Sequence, residues 1–220
     1  TNYDVLDWYY YDGYDDEQYW YKGELEEYEY ITYQIPVKGQ DPVAFTIKST
    51  IHGPVFTEFL SRFLRTDYTN TQLACKWIAH SVTWELNAFY GFAHAKNRAD
   101  FNDASTNFWT PAQNMVYADV DGNIGIRPTG KVPLRDDTGT PSWHLGNGFM
   151  PYNGSAGQGE WTGFVPFADL PHTENPDQHF LASANQIVAG PDYLAQYRLQ
   201  GDYSSGYHAR RINEWLKAHD

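Results

Sequence analysis

Apolar and polar positions alternate along VAFTIKST, from Val43 to Thr50, and a period of two predicts a half-buried strand there. The first 35 residues, crowded with Tyr, Trp, Asp and Glu, read as antiparallel strands, and residues 73–79 offer a further one. Between residues 82 and 95 the pattern changes: Leu86, Phe89, Phe92 and Ala93 recur near helical spacing, so a helix is expected, followed by a short one over about 97–105. The run NMVYADVDGNIGIRPTG, residues 114–130, has two strand-like arms around Asp121-Gly122. Asp-Gly favours a primed hairpin turn, in which both central residues take positive φ. Residues 138–159 are rich in Gly, Pro, Ser and Asn and are expected to form a long loop, a kind of segment that is usually functional or mobile. Ile212, Trp215 and Leu216 predict a short closing helix over 209–219. No internal repeat is visible.

Composition narrows the class. The 220 residues are 41% hydrophobic and 17% aromatic, enough for a core in one or two lobes. A formal charge of -13 and a pI near 4.9 argue against nucleic acid and anionic membrane surfaces as partners, because both require a basic face. No apolar run approaches the roughly 20 residues that span a bilayer. The acidic opening TNYDVLDWYYYDG is unlike a signal peptide, so any targeting segment is expected to lie outside this chain. Cys75 is the only cysteine, which excludes an internal disulfide and a thiolate cluster and reads as a small buried hydrophobe rather than a nucleophile.

Several constellations carry two readings each. Asp119, Asp121 and Asn123 in DVDGN open like a calcium loop, but Gly130 stands at the twelfth position, where the closing glutamate is required, so the hairpin reading is preferred. Asp4 and Asp7 in DVLD could offer a cation two carboxylates and an intervening carbonyl; by themselves they read as solvated acids. The eight histidines show no metal-ligand spacing, with His80, His94, His172 and His179 spread over different elements. GxSxG, P-loop and dinucleotide fingerprints are absent. Spacing alone yields no enzyme.

Five stretches change this: STIHGPVF from Ser49, AFYGFAHAKNRADF from Ala88, NMVYADVDGNIGIRPTG from Asn114, EWTGFVPFADLPHTENP from Glu160, and FLASANQ from Phe180 with the RRINEWL helix behind it. In this order they resemble the penicillin amidase family of the N-terminal-nucleophile hydrolase superfamily, over nearly the whole chain. The resemblance implies an α+β fold, part of the αββα sandwich with antiparallel sheets. It implies a precursor that cuts itself into two chains, the larger beginning with a serine whose hydroxyl is the nucleophile and whose α-amine is the base. Thr1 is not that nucleophile: the TN pair before DVxD resembles a segment well inside the catalytic chain. Residues 1–220 are therefore expected to be a single internal fragment of that chain, lacking the nucleophile strands, the small chain and the remainder.

Carried over by position, Asn185 in ASANQ matches the family's oxyanion-hole asparagine, and Asn2 is the candidate for a second, backbone N–H donor. Aligning on Ile212 puts His208 where the family has an arginine that organises the active site, with Arg210 and Arg211 close by. Asp4, Leu6 through its carbonyl, and Asp7 match a structural calcium site completed by a glutamate of the small chain; no organic cofactor is implied. Phe89 and Gln113 match positions lining the acyl pocket. The resemblance thus implies a parent amidohydrolase acting on a linear, non-peptide small-molecule amide, extracytoplasmic, with the small chain and the rest of the large chain as partners, and a fragment inactive alone. Two rivals remain. Trp8, Tyr9, Tyr10, Tyr11, Trp20 and Tyr21 could stack on sugars in a carbohydrate-binding module, or the chain is a processed subunit, which a large exposed apolar face would favour.

Overall fold

The computed structural model describes residues 2, 3, 5–64, 71–141, 148, 150–199 and 201–219. They form two compact units, one of Thr1–Val5, Ser81–Leu134 and Trp161–Asp220, the other of Leu6–His80 and Arg135–Glu160.

In the first unit, β1 (Asn2–Tyr3) pairs antiparallel with β15 (Gly201–Asp202). The helical pattern of residues 82–95 becomes α2 (Glu85–His94), and α3 (Arg98–Ser105) starts at Asn97, whose Oδ1 accepts from Asp100 N at 3.0 Å. The two helices touch at Gly91, where an added Cβ would lie 2.6 Å from the Ala104 Cβ. The run of residues 114–130 folds as β9 (Asn114–Ala118) and β10 (Ile124–Pro128), antiparallel with Val116 opposite Ile126, and β14 (Thr173–Glu174) extends the sheet from β10.

The connection between β9 and β10 corrects the expected two-residue turn. Asp119 and Asn123 close a wider loop, with Asp119 N donating to Asn123 O at 3.0 Å, and of the Asp-Gly pair only Gly122 has positive φ, at 85°. Asp119 governs the loop, taking the N–H groups of Asp121 and Asn123 on Oδ1. Bonds from the Asn123 amide and the Tyr117 hydroxyl hold its carboxyl down at about 2. The core of this unit gathers Ala112, Val132, Val165, Leu170 and Leu199, with Val5, Val188 and Tyr193 packed against it. Two further helices, α4 (Pro191–Tyr197) and α5 (Tyr207–Lys217), follow. No described helix is long and apolar enough to cross a membrane.

In the second unit, β2 (Leu6–Tyr11) lies antiparallel to β8 (Gln72–Trp77), with Tyr9 opposite Ala74, and its other edge takes β12 (Tyr152–Asn153) in parallel. The expected long loop therefore contains a strand. Alternation along β2 turns Asp7, Tyr9 and Tyr11 inward. A tight hairpin joins β3 (Gln18–Tyr21) to β4 (Glu24–Glu27), its turn residues Lys22 and Gly23 both at positive φ. β5 (Glu29–Ile35) pairs with β6 (Val43–Thr50), and β7 (Gly53–Pro54) and α1 (Thr57–Leu64) follow. β6 has the expected bounds but not the expected burial: Val43 and Phe45 are 53% and 54% exposed, because its partner β5 is exposed along its whole length. Cys75 is buried and its thiol pKa is pushed up to about 11, first by desolvation and then by Asp7, so it is a packing residue.

The aromatic opening supplies the core: Tyr9, Tyr11, Tyr19, Tyr28 and Tyr152 are buried around Ala74. His52, 1% exposed, stacks on Tyr9 with ring centres 3.7 Å apart. Its Nε2 lies 3.1 Å from Glu160 Oε2, and its Nδ1 is bonded to the Tyr11 hydroxyl. An ionised carboxylate at Nε2 requires the proton there, so Nδ1 accepts from Tyr11. Glu160 Oε1 also accepts from the Tyr21 hydroxyl at 2.7 Å. Burial opposes ionisation of Glu160, yet the bonds from His52 and Tyr21 hold its carboxyl down at about 2. Burial lowers the His52 pKa, with Glu160 opposing in part.

Both folded pKa values lie below the ordinary ones near 6.5 for His52 and 4.5 for Glu160, so the unfolded chain binds more protons as pH falls. Stability of this unit should be fully present above pH 6.5, decline below it and fall further below pH 4.5. The Glu160 part is on the order of 3 kcal/mol at neutral pH. Melting temperature against pH measures this, and Glu160→Gln should flatten the limb below pH 4.5.

Candidate active site

Asn185 lies between Phe180 and α4 with φ at 60°, in the left-handed region that asparagine tolerates better than most residues. Its neighbours shape the loop: Ala184 N donates to Gln186 Oε1 at 2.6 Å, Gln186 Nε2 donates to Ala182 O, and Asn114 Nδ2 at the start of β9 donates to Ser183 Oγ at 2.6 Å. Ser204 N donates to Asn185 O at 2.8 Å. Two residues before Ser204, Asp202 of β15 stands opposite Asn2 of β1. The chain from Gly201 to Ser204 thus joins two of the predicted catalytic positions, which are 183 residues apart in sequence. Asn185 is exposed. His208 is the second residue of α5 and is exposed; Arg210 and Arg211 pair loosely with Glu214, at 3.7 and 3.8 Å.

Phe89 sits on α2, 57% exposed and edge-on to Phe108 with ring centres 5.6 Å apart. Gln113 precedes β9 with an exposed side chain, its carbonyl accepting from Thr129 N at 2.7 Å. Glu85 ties the two regions together, its Oε1 accepting from Trp109 N and Thr110 N. A cavity of about 450 Å³ is bounded by Asn114, Ile126, Leu181, Ile187 and Tyr193 among others, with no Asp, Glu, Lys or Arg among the described residues of its wall. The sequence reading missed it: Asn185, Phe89 and Gln113 are not in its wall, and the residues that are come from four separate stretches.

The acidic segment differs from its expectation. Asp4 and Thr1 lie outside the described residues. Leu6 opens β2 opposite Trp77. Asp7 is not a solvated acid but 0% exposed, its Oδ2 accepting from Arg135 Nε at 2.7 Å. Gly148 packs over the pair: with φ at 78°, a Cβ there would strike Asp7 Oδ1 and Arg135. Asp7 thus already faces a buried cation, and no group of three or more His, Cys, Asp or Glu among the described residues could hold a metal ion.

The described chain is a mixed helix and strand fold with mainly antiparallel sheets, and it is similar to the thermostable penicillin G acylase from Alcaligenes faecalis, with a TM-score of 0.75 and 25% identity over 98% of this chain and 36% of that one. The penicillin amidase family model matches residues 1–220, and the chain belongs to that family. It is 32% identical over 160 residues to acyl-homoserine lactone acylase QuiP of Pseudomonas fluorescens, covering 73% of this chain and 18% of that protein. It is 31% identical over 161 residues to penicillin G acylase of Escherichia coli, covering 69% and 16%. A third relative, penicillin acylase 2 proenzyme of a Pseudomonas species, is 28% identical over 193 residues, covering 84% and 22%. The chain therefore spans about a fifth of the length of these relatives.

Removing one member of the buried Asp7–Arg135 pair leaves the other uncompensated. Arg135→Met should lower unfolding stability by about 3–5 kcal/mol, measured by urea denaturation, and adding Asp7→Leu should restore part of the loss.

Proposed function

We propose that this chain is the oxyanion-stabilising part of an amidohydrolase that cleaves a linear, non-peptide acyl amide through an acyl-serine intermediate. The observation that carries the reading is the meeting of Asn185 and β1 at residues 201–204. In this reading a serine supplied by another part of the protein attacks the amide carbonyl, with its own α-amine as base. The oxygen that gains charge accepts hydrogen bonds from the Asn185 amide and from a backbone N–H near Asn2. Collapse expels the amine and leaves the acyl group on serine, from which water removes it. The names of the relatives, penicillin and acyl-homoserine lactone acylases, support an acyl amide as the bond broken.

Partner chains from the same precursor complete the site. Val82 and Leu86 are 84% and 83% exposed around the start of α2, and Tyr33 and Phe45 are 52% and 54% exposed on the β5–β6 arm. Apolar surface of this kind favours a chain that works against another. It counts against a self-contained carbohydrate-binding module, as does the burial of Tyr9 and Tyr11.

The chain alone is expected to be inactive on a chromogenic phenylacetyl amide and on fatty-acyl amides, whereas a form extended upstream through a serine-led strand should turn over. In that form Asn185→Ala should lower kcat by roughly 100- to 1000-fold with a small change in KM. Turnover by this chain itself, abolished by removing Thr1, would overturn the reading.

A further inference from the structure

Asn185 lies in the stretch between β14 and α4, which carries neither helix nor strand, so no regular ladder of hydrogen bonds fixes its backbone. Its φ of 60° is a conformation that residues with a Cβ mostly avoid, asparagine less than others. A backbone of this kind persists only where its surroundings hold it.

The side chain of the next residue supplies such a hold. Gln186 Oε1 accepts from Ala184 N at 2.6 Å, and Gln186 Nε2 donates to Ala182 O at 3.2 Å. One carboxamide thus takes a carbonyl and the N–H two residues further on, groups that a neighbouring strand would take in a sheet. Using both ends fixes its orientation, because a turned-over amide would set N–H against N–H and oxygen against oxygen. Both bonds close rings that contain Asn185. Asn114 and Ser204 tie the same loop to its surroundings, Asn114 Nδ2 donating to Ser183 Oγ at 2.6 Å and Ser204 N to Asn185 O at 2.8 Å. Gln186 acts instead within the loop, across Asn185 itself.

We propose that Gln186 is a positioning residue for Asn185, fixing the direction in which the Asn185 amide presents its N–H to the oxygen that gains charge in acyl transfer. This rests on the oxyanion role proposed above for Asn185. Gln186 touches no reacting atom; it acts by excluding other backbone conformations of Asn185, in which the amide is turned away from that oxygen. Its effect belongs to the transition state, where the charge has developed, and not to ground-state binding.

The test is kinetic, on the parent enzyme with its serine-led chain and partner chains complete. Methionine matches glutamine in length and makes neither bond. Gln186→Met should lower kcat on a chromogenic phenylacetyl amide by roughly 10- to 100-fold, with KM within about twofold and the melting temperature within about 2 °C. In an Asn185→Ala background the same substitution should cost less than about twofold, because no amide is left to position. Should Gln186→Met fail to fold, Gln186→Asn, whose shorter arm cannot span both groups, carries the same comparison. An unchanged kcat in the single variant, or losses that multiply in the double one, would overturn the proposal. Loss of activity in Asn185→Ala with none in Gln186→Met sinks this inference alone, whereas full activity in Asn185→Ala sinks the oxyanion role and this inference with it.

Discussion

Buried phenols impose the constraint on which the second unit depends. A tyrosine ring brings a large apolar surface into a core, but its hydroxyl must find a partner or forfeit on the order of 1–3 kcal/mol. Three of the core tyrosines meet this requirement through chain segments remote in sequence. The Tyr9 hydroxyl donates to Gly159 O at 2.6 Å, Tyr11 donates to His52, and the Tyr19 hydroxyl accepts from Ile51 N at 3.0 Å. Together these bonds tie the turn at Ile51 and His52 and the segment at Gly159 to β2 and β3. The glycines of the late loop follow from this, since a Cβ at Gly154 or Gly159 would run into the rings of Tyr11 or Tyr152. His52 serves as the central joint, with one ring nitrogen used by a phenol and the other by a carboxylate.

In the first unit, position depends on backbone rather than on buried side chains. Asn185 is exposed and its left-handed backbone is stabilised by neighbours and by the N–H of Ser204. The proposed oxyanion role requires a donor that is both accessible and rigid. The strand pairing between Asn2 and Asp202 brings the other predicted donor to the same stretch of chain. Membership of the penicillin amidase family gives that geometry a chemical context.

Charge is handled differently at three buried places. Asp7 and Arg135 neutralise each other directly under Gly148. Glu160, with a side chain 22% exposed, is kept ionised by a histidine and a tyrosine. Arg127 has neither arrangement: its Nη1 donates to the Phe167 carbonyl and its guanidinium lies over the Phe167 ring.

Local pattern was enough to place many elements. Helical spacing located α2 and α5, a short helix was expected where α3 lies, and alternation gave β6 its bounds. Each of these depends on residues within a few positions of one another, where the periods of 3.6 and 2 act directly. The Asp-Gly pair located the β9–β10 hairpin but not its loop, because the Asp119 side chain chose the wider turn. The short helices α1 and α4 were missed, although Pro191 at the first turn of α4 is a start signal. The sequence by itself determined the family and the candidate residues, through motifs whose identity survives without coordinates. Only the tertiary structure decided that Asp7 is buried against Arg135, 128 residues away, that tyrosines of the aromatic opening form a core, and that Asn2 and Asn185 reach one short stretch of chain, residues 201–204. Those outcomes depend on which distant segments exclude water from one another, and no local period records that.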